Sequence, residues 1–164
     1  MPHILVVDDD TDFREWMDVV LVGMGHTCVS LPSASGVLTE LKLGEVDLAL
    51  VDYSMPGKDG LSLLRDIQAG RISTPIIMLT ANSAQNVAVE CFRVGAVDFI
   101  AKPIDPDYLS IVIQRALSTH SGQLRNMAYL ALGYMKHRDT CIFNGGGGRC
   151  DCGLLDVIEG IQKF

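Results

Sequence analysis

The stretch that decides the fold spans residues 47–57, Asp47-Leu48-Ala49-Leu50-Val51-Asp52-Tyr53-Ser54-Met55-Pro56-Gly57. Four apolar residues lead directly into Asp52, and a Pro-Gly pair follows within five positions. A short apolar run bounded by turn residues predicts a fully buried strand of a parallel sheet. Asp52 is then expected at the carboxyl end of the strand, where α/β sheets bind ligands. An aspartate that only opens a loop is the alternative interpretation.

Apolar runs of this kind recur along the chain, and amphipathic segments separate them. We predict strands at residues 4–7, 27–31, 48–52, 76–79 and 97–100. We predict helices capped by Thr11 or Asp12, started by Ser33 or Ser35, and spanning about 60–68, 84–93 and 105–118. Strands that alternate with helices indicate an α/β fold, a doubly wound five-stranded parallel sheet with helices on both faces.

Length and composition predict one ordinary domain, residues 1–119, followed by a small appendage, residues 120–164. Hydrophobic residues make up 48% of the chain, which is enough for a substantial core. No apolar run approaches the roughly 18 residues that a membrane helix needs. The chain opens on Met1-Pro2-His3 without a basic segment, so we expect no secretory signal and a cytoplasmic location, with no membrane partner.

The net charge of -7 is unevenly distributed. Residues 1–119 carry 8 basic and 16 acidic side chains, whereas residues 120–164 carry five basic and four acidic ones. Neither part has the basic surface that nucleic-acid binding requires. Because the appendage is also short, we expect no direct DNA binding.

Polar side chains stand at the ends of four predicted strands. Asp8 and Asp9 follow the first, Asp52 ends the third, Thr80 ends the fourth and Lys102 follows the fifth. In a parallel sheet these ends meet at one edge, and three carboxylates there would repel one another. A hard cation such as Mg²⁺ would relieve that repulsion. With Lys102 and Thr80 close by, a phosphate group could be bound and Asp52 could act as its acceptor.

Four segments together resemble the receiver domain of bacterial two-component response regulators, the CheY-like family. They are Val6-Val7-Asp8-Asp9, residues 51–60 (VDYSMPGKDG), Leu79-Thr80-Ala81 and residues 95–103 (GAVDFIAKP). The resemblance covers roughly residues 3–119. It implies a flavodoxin-like sheet with strand order 2-1-3-4-5 and a cis bond between Lys102 and Pro103.

The resemblance also implies roles for individual residues. Asp52 matches the phosphoacceptor, and Asp8 and Asp9 match the acidic pair that holds magnesium, with Asp9 preferred as the direct ligand. The backbone carbonyl of Ser54 would complete the protein ligands together with Asp52. Thr80 matches the switch hydroxyl and Lys102 the lysine that contacts the phosphoryl group. Phe99 takes the aromatic switch position, where it could switch by packing alone because it has no hydroxyl.

The implied function is that of a phosphorelay response regulator. A histidine kinase or phosphotransfer protein would donate a phosphoryl group to Asp52, and the protein would signal to an unknown output protein through its surface. It would not be an enzyme beyond self-catalysed phosphoryl acceptance and slow autodephosphorylation. The alternative is a metal-dependent phosphatase with an aspartate nucleophile. Such enzymes place the nucleophile and the acid together as Asp-x-Asp after the first strand, and Asp8-Asp9-Asp10 could mimic that pattern, although the sequence shows no inserted cap.

The appendage carries two further patterns. Residues 123–136 place apolar side chains at helical spacing, and this stripe could cover the receiver, a partner helix or a second copy in a homodimer. His137, Cys141, Cys150 and Cys152 then form a Cys₃His set suited to tetrahedral zinc. Free thiols in a glycine-rich loop, a redox pair and an iron–sulfur site are the alternatives.

Overall fold

The computed structural model describes residues 1–81 and 85–119, apart from the side chains of residues 85, 86 and 119. Strands and helices alternate strictly along these residues. The strands are β1 His3–Val7, β2 Thr27–Leu31, β3 Leu48–Asp52, β4 Ile76–Thr80 and β5 Asp98–Ala101. The helices are α1 Thr11–Gly23, α2 Val37–Leu43, α3 Gly60–Ala69, α4 Gln85–Val94 and α5 Pro106–Thr119.

The strands form one parallel sheet in the order β2-β1-β3-β4-β5, which confirms the predicted topology. Every residue of β3 and β4 is buried, whereas the edge strand β2 is partly exposed throughout. Central strands that helices cover on both faces have continuous apolar sequences, which is why the run at residues 48–51 predicted a strand.

Two layers of helices cover the sheet. On one face, side chains of α2, α3 and α4 pack against alternate strand residues such as Leu5, Ala49 and Met78. On the other face, α1 and α5 pack against the intervening residues, including Ile4 and Leu50. The alternation of side chains along each strand thus divides the core into two halves. The carboxyl edge of the sheet lies between the layers, where the loops bring together residues from different strands.

Two helix starts differ from the prediction. Asp10 caps α1, since its side chain accepts the N–H of Phe13, and neither Thr11 nor Asp12 does so. Helix α2 begins only at Val37, after Gly36 in a left-handed conformation with φ of 84°. The Ser33 hydroxyl accepts the N–H of Ser35 within a local turn, so these serines shape the preceding loop.

The Lys102-Pro103 bond is cis, as the resemblance implied. Within the described segments, no helix is both long enough and apolar enough to cross a membrane. The predicted helix over 123–136 and the zinc ligands His137, Cys141, Cys150 and Cys152 lie outside the described residues. The division into a receiver of residues 1–119 and an appendage therefore stays a prediction.

Candidate functional site

The carboxyl ends of neighbouring strands bring three of the predicted site residues into contact. Asp8 follows β1, Asp52 ends β3, and Lys102 follows β5 on the far side of β4. Asp8 and Asp52 are both buried, at 0% and 4% exposure. Buried carboxylates need a compensating charge or hydrogen-bond donors, and Lys102 supplies both.

The Lys102 ammonium lies between the two carboxylates. Its Nζ is 2.6 Å from Asp8 Oδ2 and 2.7 Å from Asp52 Oδ1. The remaining oxygen of each carboxylate accepts a backbone N–H two residues further on, from Asp10 at 3.0 Å and from Ser54 at 2.8 Å. Every carboxylate oxygen of this pair is therefore hydrogen-bonded, and both side chains are held in fixed orientations.

Burial and charge act in opposite directions on these groups. Burial raises the pKa of Asp8 above its usual value, although the hydrogen bonds from Lys102 and the Asp10 amide lower it in part. Burial also lowers the pKa of Lys102, but its hydrogen bonds to Asp52 and Asp8 and their negative charges outweigh that effect. The pKa of Lys102 therefore lies above its usual value, and the ammonium stays charged at neutral pH.

Two of the three predicted carboxylates, Asp8 and Asp52, meet at Lys102. Among the residues that the structure describes, no three His, Cys, Asp or Glu side chains are grouped as a metal site. Asp9 is exposed, whereas Asp8 is buried and contacts Lys102 together with Asp52. The Lys102 ammonium occupies the position between the carboxylates where the sequence predicted a metal ion. The oxygen donors present, carboxylates and the Ser54 carbonyl, nevertheless match the preference of Mg²⁺.

Thr80 and Phe99 occupy the last two predicted positions. Thr80 is buried at the end of β4. Its carbonyl accepts the backbone N–H of Lys102 at 2.7 Å, and this bond fixes the backbone of Lys102 beside β4. Phe99 is half-buried in β5 and packs on the face covered by α2, α3 and α4. Its ring meets Phe92 of α4 edge-on, with centroids 5.7 Å apart. Phe99 thus couples the strand that leads to Lys102 with helix α4.

The first turn of α1 contributes residues that sequence reasoning missed. The Phe13 ring lies 4.2 Å from Lys102 Nζ, in the geometry of a cation–π contact. The Arg14 guanidinium donates to the Asp8 carbonyl at 2.7 Å and to the Thr11 hydroxyl at 3.1 Å. Phe13 and Lys102 lie far apart in the chain. Contacts between residues this distant in sequence leave no local signal.

Gly60 is a second missed position. An ideal Cβ placed there would lie 2.1 Å from the Asp52 carbonyl oxygen and 2.9 Å from Met78 Cε. The Gly60 N–H also donates to the Tyr53 carbonyl at 3.0 Å, so α3 begins directly against the end of β3. Only glycine fits this close approach. The sequence predicted a helix from about residue 60, but the packing role of Gly60 appears only in the structure.

Curated relatives align with the receiver part of the chain. Over 120 residues it is 37% identical to the DNA-binding transcriptional regulator NtrC of Salmonella typhimurium, covering 73% of this chain and 26% of that protein. Over 119 residues it is 35% identical to the transcriptional regulatory protein ZraR of Escherichia coli, covering 72% and 27%. The chain therefore spans about a quarter of the length of these relatives.

Solved structures agree with the fold described above. The receiver domain of NtrX from Brucella abortus is 35% identical with a TM-score of 0.66, covering 71% of this chain and 98% of that one. The chemotaxis protein CheY4 of Vibrio cholerae is 26% identical with a TM-score of 0.67, covering 71% and 99%. Both matches confirm the CheY-like architecture.

The expectation of no direct DNA binding is wrong. NtrC, which aligns with this chain, is by name a DNA-binding transcriptional regulator. The expectation rested on the acidic receiver and the nearly neutral residues 120–164. The aligned segment is only about a quarter of NtrC, so the charge of that segment carries no information about DNA binding by a protein of this class.

A model of a protein family also matches most of this chain. The model described as the response regulator receiver domain matches residues 4–114, which include all of β1 except its first residue, strands β2 to β5 and most of α5. Asp8, Asp52, Thr80 and Lys102 all lie within the match. The chain therefore belongs to the response regulator receiver domain family.

Proposed function

We propose that this protein accepts a phosphoryl group on Asp52 from a phosphohistidine of a histidine kinase or phosphotransfer protein. The observation that carries the proposal is the buried pair of Asp8 and Asp52 with the Lys102 ammonium within 2.7 Å of both. A buried carboxylate at the carboxyl edge of the central strand, beside a fixed cation, is suited to nucleophilic attack on an anionic group. Family membership supports the same function.

The transfer is a substitution at phosphorus. An oxygen of Asp52 forms the new O–P bond, the P–N bond to the donor imidazole breaks, and the leaving nitrogen takes a proton. Lys102 is already 2.7 Å from Asp52 Oδ1, so its ammonium can donate to a phosphoryl oxygen as that group arrives. Such fixed donors stabilise charge in the transition state without having to reorganise.

Magnesium belongs to this proposal as a cofactor. Asp8, Asp9, Asp52 and the backbone carbonyl of Ser54 would hold it, since these groups present the oxygen donors that Mg²⁺ prefers. When bound, the ion would neutralise charge on the phosphoryl oxygens. The exposed position of Asp9 leaves its carboxylate accessible from solvent, and Asp8 is held with its oxygens committed to Lys102 and Asp10.

Thr80 and Phe99 would transmit the modification. The Thr80 carbonyl accepts the backbone N–H of Lys102, so a displacement of the Lys102 backbone would act on the end of β4. Phe99 is two residues before Ala101, the strand partner of Thr80, and packs against Phe92 of α4. A change at Thr80 could therefore alter the packing of α4, with Phe99 acting through its ring alone.

The test uses a small phosphodonor such as acetyl phosphate with Mg²⁺. Intact mass should increase by one hydroxylamine-labile phosphoryl group in the wild type, and not in Asp52→Asn. Asp107→Asn is the matched control, because Asp107 is an exposed aspartate of α5, and it should be modified like the wild type. Full modification of Asp52→Asn would refute the assignment.

The proposed activity is limited to the protein's own acyl phosphate. We expect slow hydrolysis of phospho-Asp52 and no turnover of an external phosphate ester such as p-nitrophenyl phosphate. Sustained turnover that depends on Asp52 would favour the phosphatase alternative instead. Because the aligned relatives are transcriptional regulators, control of transcription is the output to test first.

A further inference from the structure

The Phe13 ring forms one side of the Lys102 site. Lys102 Nζ lies 4.2 Å from the ring centroid while it also contacts Asp8 and Asp52. An ammonium group has three N–H donors, and the two carboxylates account for two of them. The aromatic face, which carries partial negative charge, is available to the third. The cation is thus surrounded by two anionic partners and one neutral partner.

Hydrogen bonds tie Phe13 to the same site from the backbone side. The Asp8 carboxylate accepts the Asp10 N–H at 3.0 Å, and the Asp10 carboxylate accepts the Phe13 N–H at 3.1 Å. The Phe13 ring then meets Lys102, which returns to Asp8 at 2.6 Å. These contacts form a closed circuit of four residues. Phe13 is therefore placed by the acidic loop itself as well as by the packing of α1.

Trp16 supports the ring from one turn further along α1. The two rings are tilted by 40° with centroids 5.8 Å apart, an arrangement favourable for aromatic pairs. Trp16 is 37% exposed, so it packs on Phe13 at the protein surface. Packing against Trp16 restricts rotation of the Phe13 ring away from Lys102.

We propose that Phe13 is a positioning residue for phosphoryl transfer, holding the Lys102 ammonium beside Asp52 through the face of its ring. This inference rests on the proposed function of Asp52. A neutral aromatic face suits the task because a carboxylate there would repel the incoming phosphoryl group.

The first experiment observes the contact itself by NMR in the unmodified protein. The Lys102 ε-methylene protons should be shifted upfield by the Phe13 ring current in the wild type and in Phe13→Tyr. In Phe13→Leu they should move to the position typical of an exposed lysine. Wild-type ε-methylene protons at the ordinary lysine position would overturn the proposal whatever the stability of the variants. Unchanged shifts in Phe13→Leu would also overturn it.

The second experiment measures the rate of Asp52 phosphorylation by acetyl phosphate at saturating Mg²⁺. Loss of a partly buried cation–π contact predicts a rate about fivefold lower for Phe13→Leu. Phe13→Tyr keeps the ring and should restore the rate to within about twofold. Val20→Ala is the matched control, because it removes half-buried apolar atoms from the same helix two turns beyond Phe13 and should leave the rate unchanged.

The two experiments separate failure of this inference from failure of the proposed function. If the wild type accepts phosphate on Asp52 but Phe13→Leu reacts equally fast, Phe13 has no positioning role. If Phe13→Tyr is as slow as Phe13→Leu, the ring face is not the cause and the inference also fails. If the wild type accepts no phosphate at all, the proposed function fails, whereas the NMR shifts still decide whether Phe13 holds Lys102.

Discussion

Replacing Gly60 by alanine tests how tightly α3 is packed against the end of β3. The new Cβ would lie 2.1 Å from the Asp52 carbonyl oxygen, more than 1 Å inside the ordinary contact range that begins at 3.4 Å. Met78 Cε, at 2.9 Å, belongs to a flexible side chain and can move aside. The Asp52 oxygen is backbone of the central strand, which pairs with β4 at Leu79, so it cannot move independently.

Two opposing effects set the magnitude. Overpacking of this kind costs about 1–3 kcal/mol, and a contact with backbone belongs at the upper end. Alanine favours the helix over glycine by at most about 1 kcal/mol, and by less in the first turn. The clash is therefore larger, and we expect Gly60→Ala to lower the free energy of unfolding by about 2 kcal/mol. The corresponding fall in Tm is about 4–8 °C.

Urea denaturation followed by circular dichroism provides the assay. Gly23→Ala is the matched control, since Gly23 is also a helical glycine but has open space around the position of its Cβ. We expect that variant to be as stable as the wild type or up to about 1 kcal/mol more stable. A Gly60→Ala protein that is equally or more stable than the wild type would refute the reasoning. Opposite signs for the two variants would support it.

Three further predictions concern other parts of the chain. Burial raises the pKa of the Asp98 carboxyl above 3.8, although Arg115 partly offsets this. The folded protein then holds the proton more tightly than the unfolded chain, so the free energy of unfolding should fall as pH rises through the folded-state pKa of Asp98. Urea denaturation across this pH range should show that slope in the wild type and not in Asp98→Asn; equal slopes would contradict the assignment. Asp9→Ala should abolish Mg²⁺ binding in titration calorimetry while changing the free energy of unfolding by less than about 0.5 kcal/mol, because Asp9 is exposed. Elemental analysis should find one zinc per chain, lost in a Cys150→Ser, Cys152→Ser double variant; metal retained by that variant would exclude this ligand set.

The bridge formed by Lys102 changes how the acidic cleft is understood. The sequence suggested that Asp8, Asp9 and Asp52 would repel one another until a metal bound. In the structure the half-buried Lys102 ammonium already offsets one of the two negative charges of Asp8 and Asp52, and Asp9 is exposed. Any cation or phosphoryl group that binds there has to compete with Lys102 for the carboxylate oxygens.

The sequence alone determined the fold and the location of the site. Apolar runs at residues 4–7, 48–51 and 76–79 mark strands buried on both faces, because only such strands lack polar alternation. Once the strands are parallel, the residues that follow them meet at one edge whatever the details of packing. That is why Asp52, Thr80 and Lys102 could be placed at one edge from the order of the chain.

The arrangement within the site was decided by the tertiary structure. The capping role of Asp10 and the burial of Asp8 in place of Asp9 depend on how the chain leaves β1, where a shift of one residue exchanges the two sides of a strand. The contacts of Lys102 with Asp8 and Phe13 join elements that are far apart in the chain, and the close approach of Gly60 to Asp52 depends on how α3 packs against the end of β3. Local periodicity predicts which face a side chain occupies within its own element. It does not contain the distances between elements, which are set only when both halves of the core pack against the sheet.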